Sequence, residues 1–421
     1  MIARLAAAAL LVALPAAPAP QNHAARDAAW RATIRQQLFI DHPLPALDAK
    51  VWSTFQAADG PTPAGQVTAE RITYATADGM LVPAILYRPT HSKKHDLPGI
   101  VVVNGHGSDK YGWYAFWSGI AMARAGAVVV TYDPIGEGER NIDRKSRAGS
   151  HDKILPAANS GPRLAGLMQT DVANAVTLLI SRPEVDPKRI AVVGYSLGAW
   201  VTYLAGALDT RIHATVLSGG GTYDGPGESF DQGKLPCQAA PWHALTVLGD
   251  RTTTLYALNQ DRGPMFIMNG AADKVVFIPT HGPDWFNAVK EKTIALNGTP
   301  TNIFETIFYP GISHRTSWVN ADGMAWLNSQ IHFANWKGKS AADIAVMPTT
   351  HISKWITANH VDISKNYFPE DREGGLDAVG TNVPALTREQ LTVLPDADWQ
   401  RLKNQLVYDA WADKIIQETA K

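Results

Sequence analysis

The 421-residue chain has a single cysteine, Cys237, so no intrachain disulfide can form and the fold must rest on its core. Net charge is nearly absent as well. Against 38 Lys and Arg stand 39 Asp and Glu, a balance of -1 that gives no general attraction for nucleic acid or an anionic membrane surface. The apolar run at the start, Leu5–Leu14, is too short to span a bilayer. There is no internal repeat. The glycine-rich stretch 104–107 lacks the Lys-Ser/Thr that a phosphate-binding Walker loop requires. What remains is a globular composition, 45% hydrophobic and 18% charged, long enough for one large decorated α/β domain or two domains.

Met1-Ile2-Ala3-Arg4 supplies a positive charge ahead of Leu5–Leu14, and small residues with prolines follow to Pro20. This order is expected of a signal peptide over residues 1–24 and hence of an exported protein. No cysteine follows the apolar core, so a lipid anchor is not expected.

The rest of the chain is organised around Arg189–Trp200. Ile190 to Val193 are four consecutive apolar residues, suited to a strand buried on both faces of a parallel sheet. Gly194-Tyr195-Ser196-Leu197-Gly198 follows, and Ala199 to Leu208 reads as a helix. A serine in a tight strand-to-helix turn needs neighbours without side chains. Its hydroxyl then stands at a helix N-terminus, where backbone N–H groups can stabilise a developing oxyanion. A plain N-cap is the alternative role for Ser196.

Further strands are predicted at Ile72–Thr76, Leu81–Tyr87, Gly99–Val103, Ala127–Tyr132, Ala214–Leu217, Pro264–Met268 and Ile303–Tyr309. Helices fit Ala28–Phe39, Trp113–Ala125, Met168–Ser181 and Gly323–Phe333. Residues 137–166 read as a long loop, the kind that inside a compact domain usually carries function. Residues 222–262 read as an irregular insertion. The expected architecture is α/β: a mostly parallel eight-stranded sheet with helices on both faces over residues 25–336. Residues 337–421 form a partly helical C-terminal extension, with Trp399, Leu402, Leu406 and Trp411 as its apolar candidates. The pattern leaves open whether the extension is an appendage, a lid or a packing arm.

In doubly wound sheets reacting groups gather at the carboxyl ends of strands. Three such ends carry Ser196, Asp273 and His314 in that order. The serine must lose a proton as it attacks a carbonyl carbon, His314 is the base that takes it, and Asp273 fixes the imidazole. Asp284 competes with Asp273 for the acid. Serine, acid, histidine is the chain order of α/β-hydrolases. An oxyanion hole requires two backbone donors, expected from Leu197 N–H and His106 N–H, with Ser108 as a rival for the second. Cys237 follows a proline outside any strand–turn–helix context and is expected to be a structural thiol.

Several runs together resemble the acetyl xylan esterase and dienelactone-hydrolase-like branch of the α/β-hydrolases, over roughly Glu70 to Ile331. They are Asp78-Gly79 with Val82-Pro83-Ala84, Asn104-Gly105-His106-Gly107, Tyr132 to Arg140, Ser181 to Ile190, and the Ser196 turn. The most distinctive is Asp133-Pro134-Ile135-Gly136-Glu137-Gly138-Glu139-Arg140. The chain departs from many members of the branch in having Leu197 directly after the serine. The resemblance implies an exported serine esterase with no metal or other cofactor, acting on a small-molecule or carbohydrate ester such as acetylated xylan. The near-zero charge leads us to expect no nucleic-acid partner, and the short leader with no cysteine after it no stable membrane anchor. Trp113, Glu137 and Arg140 are candidates to shape the acyl or sugar site, a structural salt link being the alternative for the last two. Two other functions fit the same fold: a prolyl-oligopeptidase-like serine peptidase, for which the segment before the first strand is too short to hold a propeller, and a non-catalytic binding module.

Overall fold

A computed structural model describes residues 23–420 except 61–64, 92–94, 148, 150, 225–229, 231–234, 299–303, 315–317, 362–374 and 381. The apolar leader assigned to a signal peptide falls almost wholly in residues 1–22 and lies outside the described residues.

All eight predicted strands are present, in a sheet of nine. They are β2 (Val67–Ala75), β3 (Leu81–Pro89), β4 (Leu97–Val103), β5 (Val128–Tyr132), β6 (Val185–Tyr195), β7 (Ala214–Ser218), β8 (Met265–Gly270) and β9 (Glu305–Tyr309). The ninth, β1 (Lys50–Ala58), corrects the expected eight. It pairs antiparallel with β2 at the edge, and most of its residues are exposed or half-buried, so no apolar run announces it.

The spatial order is β1-β2-β3-β5-β4-β6-β7-β8-β9. Neighbours from β5 to β9 run parallel, while β1, β2 and β3 pair antiparallel. The central strands are apolar at successive positions because alternate residues enter different cores. Ile190 and Val192 join one apolar layer with α1 (His23–Gln37), α3 (Ser160–Ile180) and α4 (Leu197–Leu208), whereas Ala191 and Val193 join the other with α2 (Trp113–Ala125) and the helix Ala321–Ile331. After β4 the chain moves to β5 on one side, then to β6 on the other. The crevice at that switch point lies beside the β4 and β6 carboxyl ends.

The described residues of the expected irregular insertion include the helices Pro236–Ala244 and Arg251–Arg262. The second buries Thr252, Thr253 and Thr254, a polar face that hid its helical period. The C-terminal extension is a packing arm. Ile344 to Val407 contribute apolar residues to the α2 side, and Tyr408, Trp411 and Ile415 to the α3 side. Trp399, Leu406 and Trp411 are buried, and Leu402 is half-buried. The arm ends on the β2–β3 turn, where Trp411 Nε1 donates to Asp78 Oδ2 at 2.7 Å and Lys414 Nζ to the Asp78 carbonyl at 2.7 Å.

Candidate active site

Ser196 stands between β6 and α4 with φ 54° and ψ -114°, in the left-handed half of backbone space that a side chain rarely occupies. The turn is tight enough to require glycine on both sides. A Cβ on Gly194 would meet the Gly198 carbonyl oxygen at 2.1 Å, and one on Gly198 would meet the Val103 oxygen at 2.1 Å. Ser196 N–H donates to the Ser218 carbonyl at 2.9 Å, tying the turn to the end of β7.

Asp273 and His314 arrive on two loops sewn to each other. Ala271 N–H donates to the Tyr309 carbonyl and Ala272 N–H to that of Ile312, both at 2.9 Å. Asp273 is fully buried. Its Oδ1 accepts from Val275 N–H at 2.9 Å and Val276 N–H at 3.3 Å, leaving Oδ2 to meet His314 Nδ1 at 2.7 Å. The other face of the ring completes the line, with His314 Nε2 2.9 Å from Ser196 Oγ. Gly219, with φ +66°, makes room for the imidazole: a Cβ there would lie 3.1 Å from His314 Cε1. Tyr195 O–H donates to the His314 carbonyl, and its ring tilts against the imidazole at 5.3 Å. The rival acid Asp284 is exposed on the helix Ile278–Asn297.

The loop after β4 presses against this turn, since a Cβ on Gly105 would lie 3.3 Å from Ser196 Cβ. Gly105 N–H donates to Tyr114 Oη at 3.3 Å, and Ser108 N–H to the Gly105 carbonyl at 3.3 Å. The rival donor Ser108 is therefore already engaged. Tyr114 stacks edge-on to Tyr195 at 5.5 Å. It is thus Tyr114, one residue beyond the predicted Trp113, that reaches the site. Trp113 lies a ring further out, edge-on to Tyr114 and Trp117.

Glu137 and Arg140 do not line an open site; both are fully buried and bonded within the fold. Glu137 Oε1 accepts from Gly107 N–H at 3.0 Å and Oε2 from Arg147 N–H at 2.9 Å. Burial pushes its carboxyl well above the usual range, against the pull of those two amides. Arg140 pairs with Asp171 and donates to the Asp133 carbonyl, so the salt-link alternative holds for it. Asp133 belongs to a second buried knot: Lys110 Nζ reaches both Asp133 and Glu139, and Glu139 N–H donates to Asp133 Oδ2 at 2.8 Å. Burial pushes Asp133 up to about 6.

One constellation has no counterpart in the sequence reading. His106 Nε2 lies 3.2 Å from Cys237 Sγ and 3.6 Å from Asp152 Oδ2, and its ring stacks on His151 at 5.1 Å. These four are donors of the kind that hold a transition metal. The available hints were the lone cysteine and the His-Asp pair in the long loop.

The profile of the alpha/beta hydrolase family matches residues 100–398. A thiohydrolase of Arthrinium phaeospermum is 31% identical over 149 residues, 35% of this chain and 41% of that protein. The chain spans less than half the length of the curated relatives it matches. Two solved structures are similar to the chain. The methylesterase BT1017 has a TM-score of 0.52 at 20% identity, over 86% of this chain and 74% of that one. Acetyl xylan esterase 1 from Thermoanaerobacterium sp. has a TM-score of 0.49 at 16% identity, over 73% and 94%. The profile match takes in most of β4 and all of β5 to β9, the serine turn and much of the arm, and leaves β1 to β3 outside: the chain belongs to the alpha/beta hydrolase family.

Proposed function

We propose that the protein is an exported serine ester hydrolase that works through an acyl-enzyme and removes acetyl groups from carbohydrate. The observation that carries the reading is the continuous hydrogen-bonded line from Asp273 Oδ2 through His314 to Ser196 Oγ, at 2.7 and 2.9 Å. Ser196 Oγ attacks the ester carbonyl carbon as its proton passes to His314 Nε2. Asp273 holds Nδ1–H toward itself and stabilises the imidazolium. The oxyanion is met by Leu197 N–H and His106 N–H. His314 then gives its proton to the departing alkoxide, and a water activated by the same imidazole releases the acid. Deacetylation as the particular reaction draws support from the sequence runs shared with acetyl xylan esterases, and export from the apolar leader of residues 1–24.

The deciding experiment measures p-nitrophenyl acetate turnover by purified protein and by Ser196→Ala. A loss of about 10⁴-fold or more, with the circular dichroism unchanged, is expected. Unchanged turnover overturns the serine mechanism. Butyrate and octanoate esters, acetylated xylan and a proline peptide then fix the substrate. Serine-dependent acetate release with a steep fall at longer chains supports the carbohydrate deacetylase. Proline-specific cleavage without ester turnover indicates the peptidase instead.

A further inference from the structure

Beside the serine turn, three segments far apart in sequence bring metal-ligating side chains to one point. His106 comes from the loop after β4, His151 and Asp152 from the long loop before α3, and Cys237 from the first turn of the helix Pro236–Ala244. Each offers one ligating atom, and the four atoms lie within 4.8 Å of one another. We propose that these four residues form a structural zinc site that ties the His106 loop to the two segments around it.

The donor set selects the ion. A thiolate and two imidazoles suit Zn²⁺, whereas Mg²⁺ and Ca²⁺ demand oxygen ligands throughout. The spacing fits too. Ligand atoms about 2.0–2.3 Å from a tetrahedral zinc stand roughly 3.3–3.8 Å apart. His106 Nε2 is 3.2 Å from Cys237 Sγ and 3.6 Å from Asp152 Oδ2, so small side-chain shifts close the sphere.

Burial gives the independent reason. His151 is 1% exposed, and neither of its ring nitrogens makes a hydrogen bond. The carboxylate oxygens of Asp152 are buried as well, with His106 and Cys237 beside them at more than close hydrogen-bonding distance. Buried polar groups are normally satisfied, and a buried imidazole left without a close partner beside a cysteine, a carboxylate and a second histidine asks for a common one. A cavity of about 670 Å³ borders Cys237 and His151.

Four protein ligands leave no open position, which marks a structural rather than a catalytic ion. Ligation through His106 Nε2 leaves the His106 backbone N–H free. The ion would fix the loop that stands against Ser196 while taking no part in bond making. The site uses none of Ser196, Asp273 or His314, so it stands or falls apart from ester hydrolysis.

The test uses the full chain, stripped with a chelator and titrated with Zn²⁺ and then with Co²⁺ as a spectroscopic probe. One ion per chain is expected. Cobalt should show a sulfur-to-metal charge-transfer band and the intense visible bands of tetrahedral coordination. Cys237→Ser should abolish the charge-transfer band, and it and His151→Ala should each weaken zinc binding about 100-fold or more. Ser196→Ala should bind as the wild type does. Zinc should raise the Tm of the wild type and leave that of Cys237→Ser unmoved. Absence of stoichiometric binding by the wild type, weak octahedral cobalt bands, or equal zinc affinity in Cys237→Ser overturns the proposal. The wild-type titration decides even where a variant fails to fold.

Discussion

Asp273 and Asp133 are both fully buried aspartates just beyond the carboxyl end of a parallel strand, β8 and β5 respectively. Each is fixed by backbone N–H groups, Asp273 by Val275 and Val276, Asp133 by Lys110 and Glu139. They differ in the basic side chain each faces. Asp273 meets an imidazole that can take up and release a proton, and the ring's far nitrogen reaches Ser196. Asp133 meets the Lys110 ammonium, whose own burial favours loss of charge but is outweighed by Asp133 and Glu139. In the proposed mechanism a buried carboxylate thus becomes machinery or a bolt according to whether its partner can change charge near neutral pH. The bolt has a use here. Glu139 also accepts from Val393 N–H at 2.8 Å and Leu394 N–H at 2.9 Å, and Arg388 pairs with Asp109, so the C-terminal arm is fastened to this knot.

The comparison breaks hardest at Asp273. Asp273→Asn keeps the shape and can still accept from the two amides, but presents the wrong partner to His314 Nδ1. Ester turnover should fall about 10⁴-fold with little change in stability, as steady-state kinetics and urea denaturation would show. Next comes Glu139→Ala, which leaves two arm amides and part of the Lys110 charge uncompensated. A loss of about 3–5 kcal/mol is expected, with the arm opened to limited proteolysis while the folded fraction keeps its ester turnover. A large turnover loss at Glu139 with stability intact would erase the distinction between the two knots.

The distinctive run Asp133 to Arg140 illustrates how much the sequence could tell. Its likeness to a family was visible; that Glu139 serves as an anchor for residues 393–399 was not, because the partners lie some 250 positions away and two of the three are backbone amides. Strands buried on both faces were legible as unbroken apolar runs, as at Ile190–Val193. The edge strand β1 and the threonine-rich helix Arg251–Arg262 were not, since partial exposure or polar burial blurs the period. Ser196, Asp273 and His314 could be read because each sits at the end of a strand in a known chain order. Tyr114 and the His106, His151, Asp152 and Cys237 cluster depend on packing between separate segments, for which no local spacing exists.

A third prediction concerns pH. Burial raises Asp133 from its ordinary 3.8 to about 6. Between those values the native state holds a proton that the unfolded chain has lost, so native stability from this group is full below about pH 4 and falls as the pH rises to about 6. The effect is up to about 3 kcal/mol. Subtracting the urea-derived stability of Asp133→Asn from that of the wild type across this window should give a falling line. A flat difference would mean Asp133 is ionised throughout, like an ordinary salt-bridged carboxylate.

The smallest effect sharpens the comparison most, because Glu137 lies between the two regions. Its carboxylate accepts from Gly107 N–H on one oxygen and Arg147 N–H on the other. Glutamine has one acceptor oxygen and would turn an NH₂ group toward an N–H, so Glu137→Gln must lose one of the two bonds. The stability cost should be about 1–2 kcal/mol. Gly107 adjoins His106, whose N–H is assigned to the oxyanion, so the loosened loop should lower kcat about tenfold and leave KM nearly unchanged, an interaction felt only in the transition state. If zinc also grips that loop through the His106 side chain, zinc-loaded Glu137→Gln should lose less turnover than the chelator-stripped variant. Equal losses would mean that the carboxylate alone positions the donor. No loss in either form would mean that the His106 loop keeps its place without Glu137.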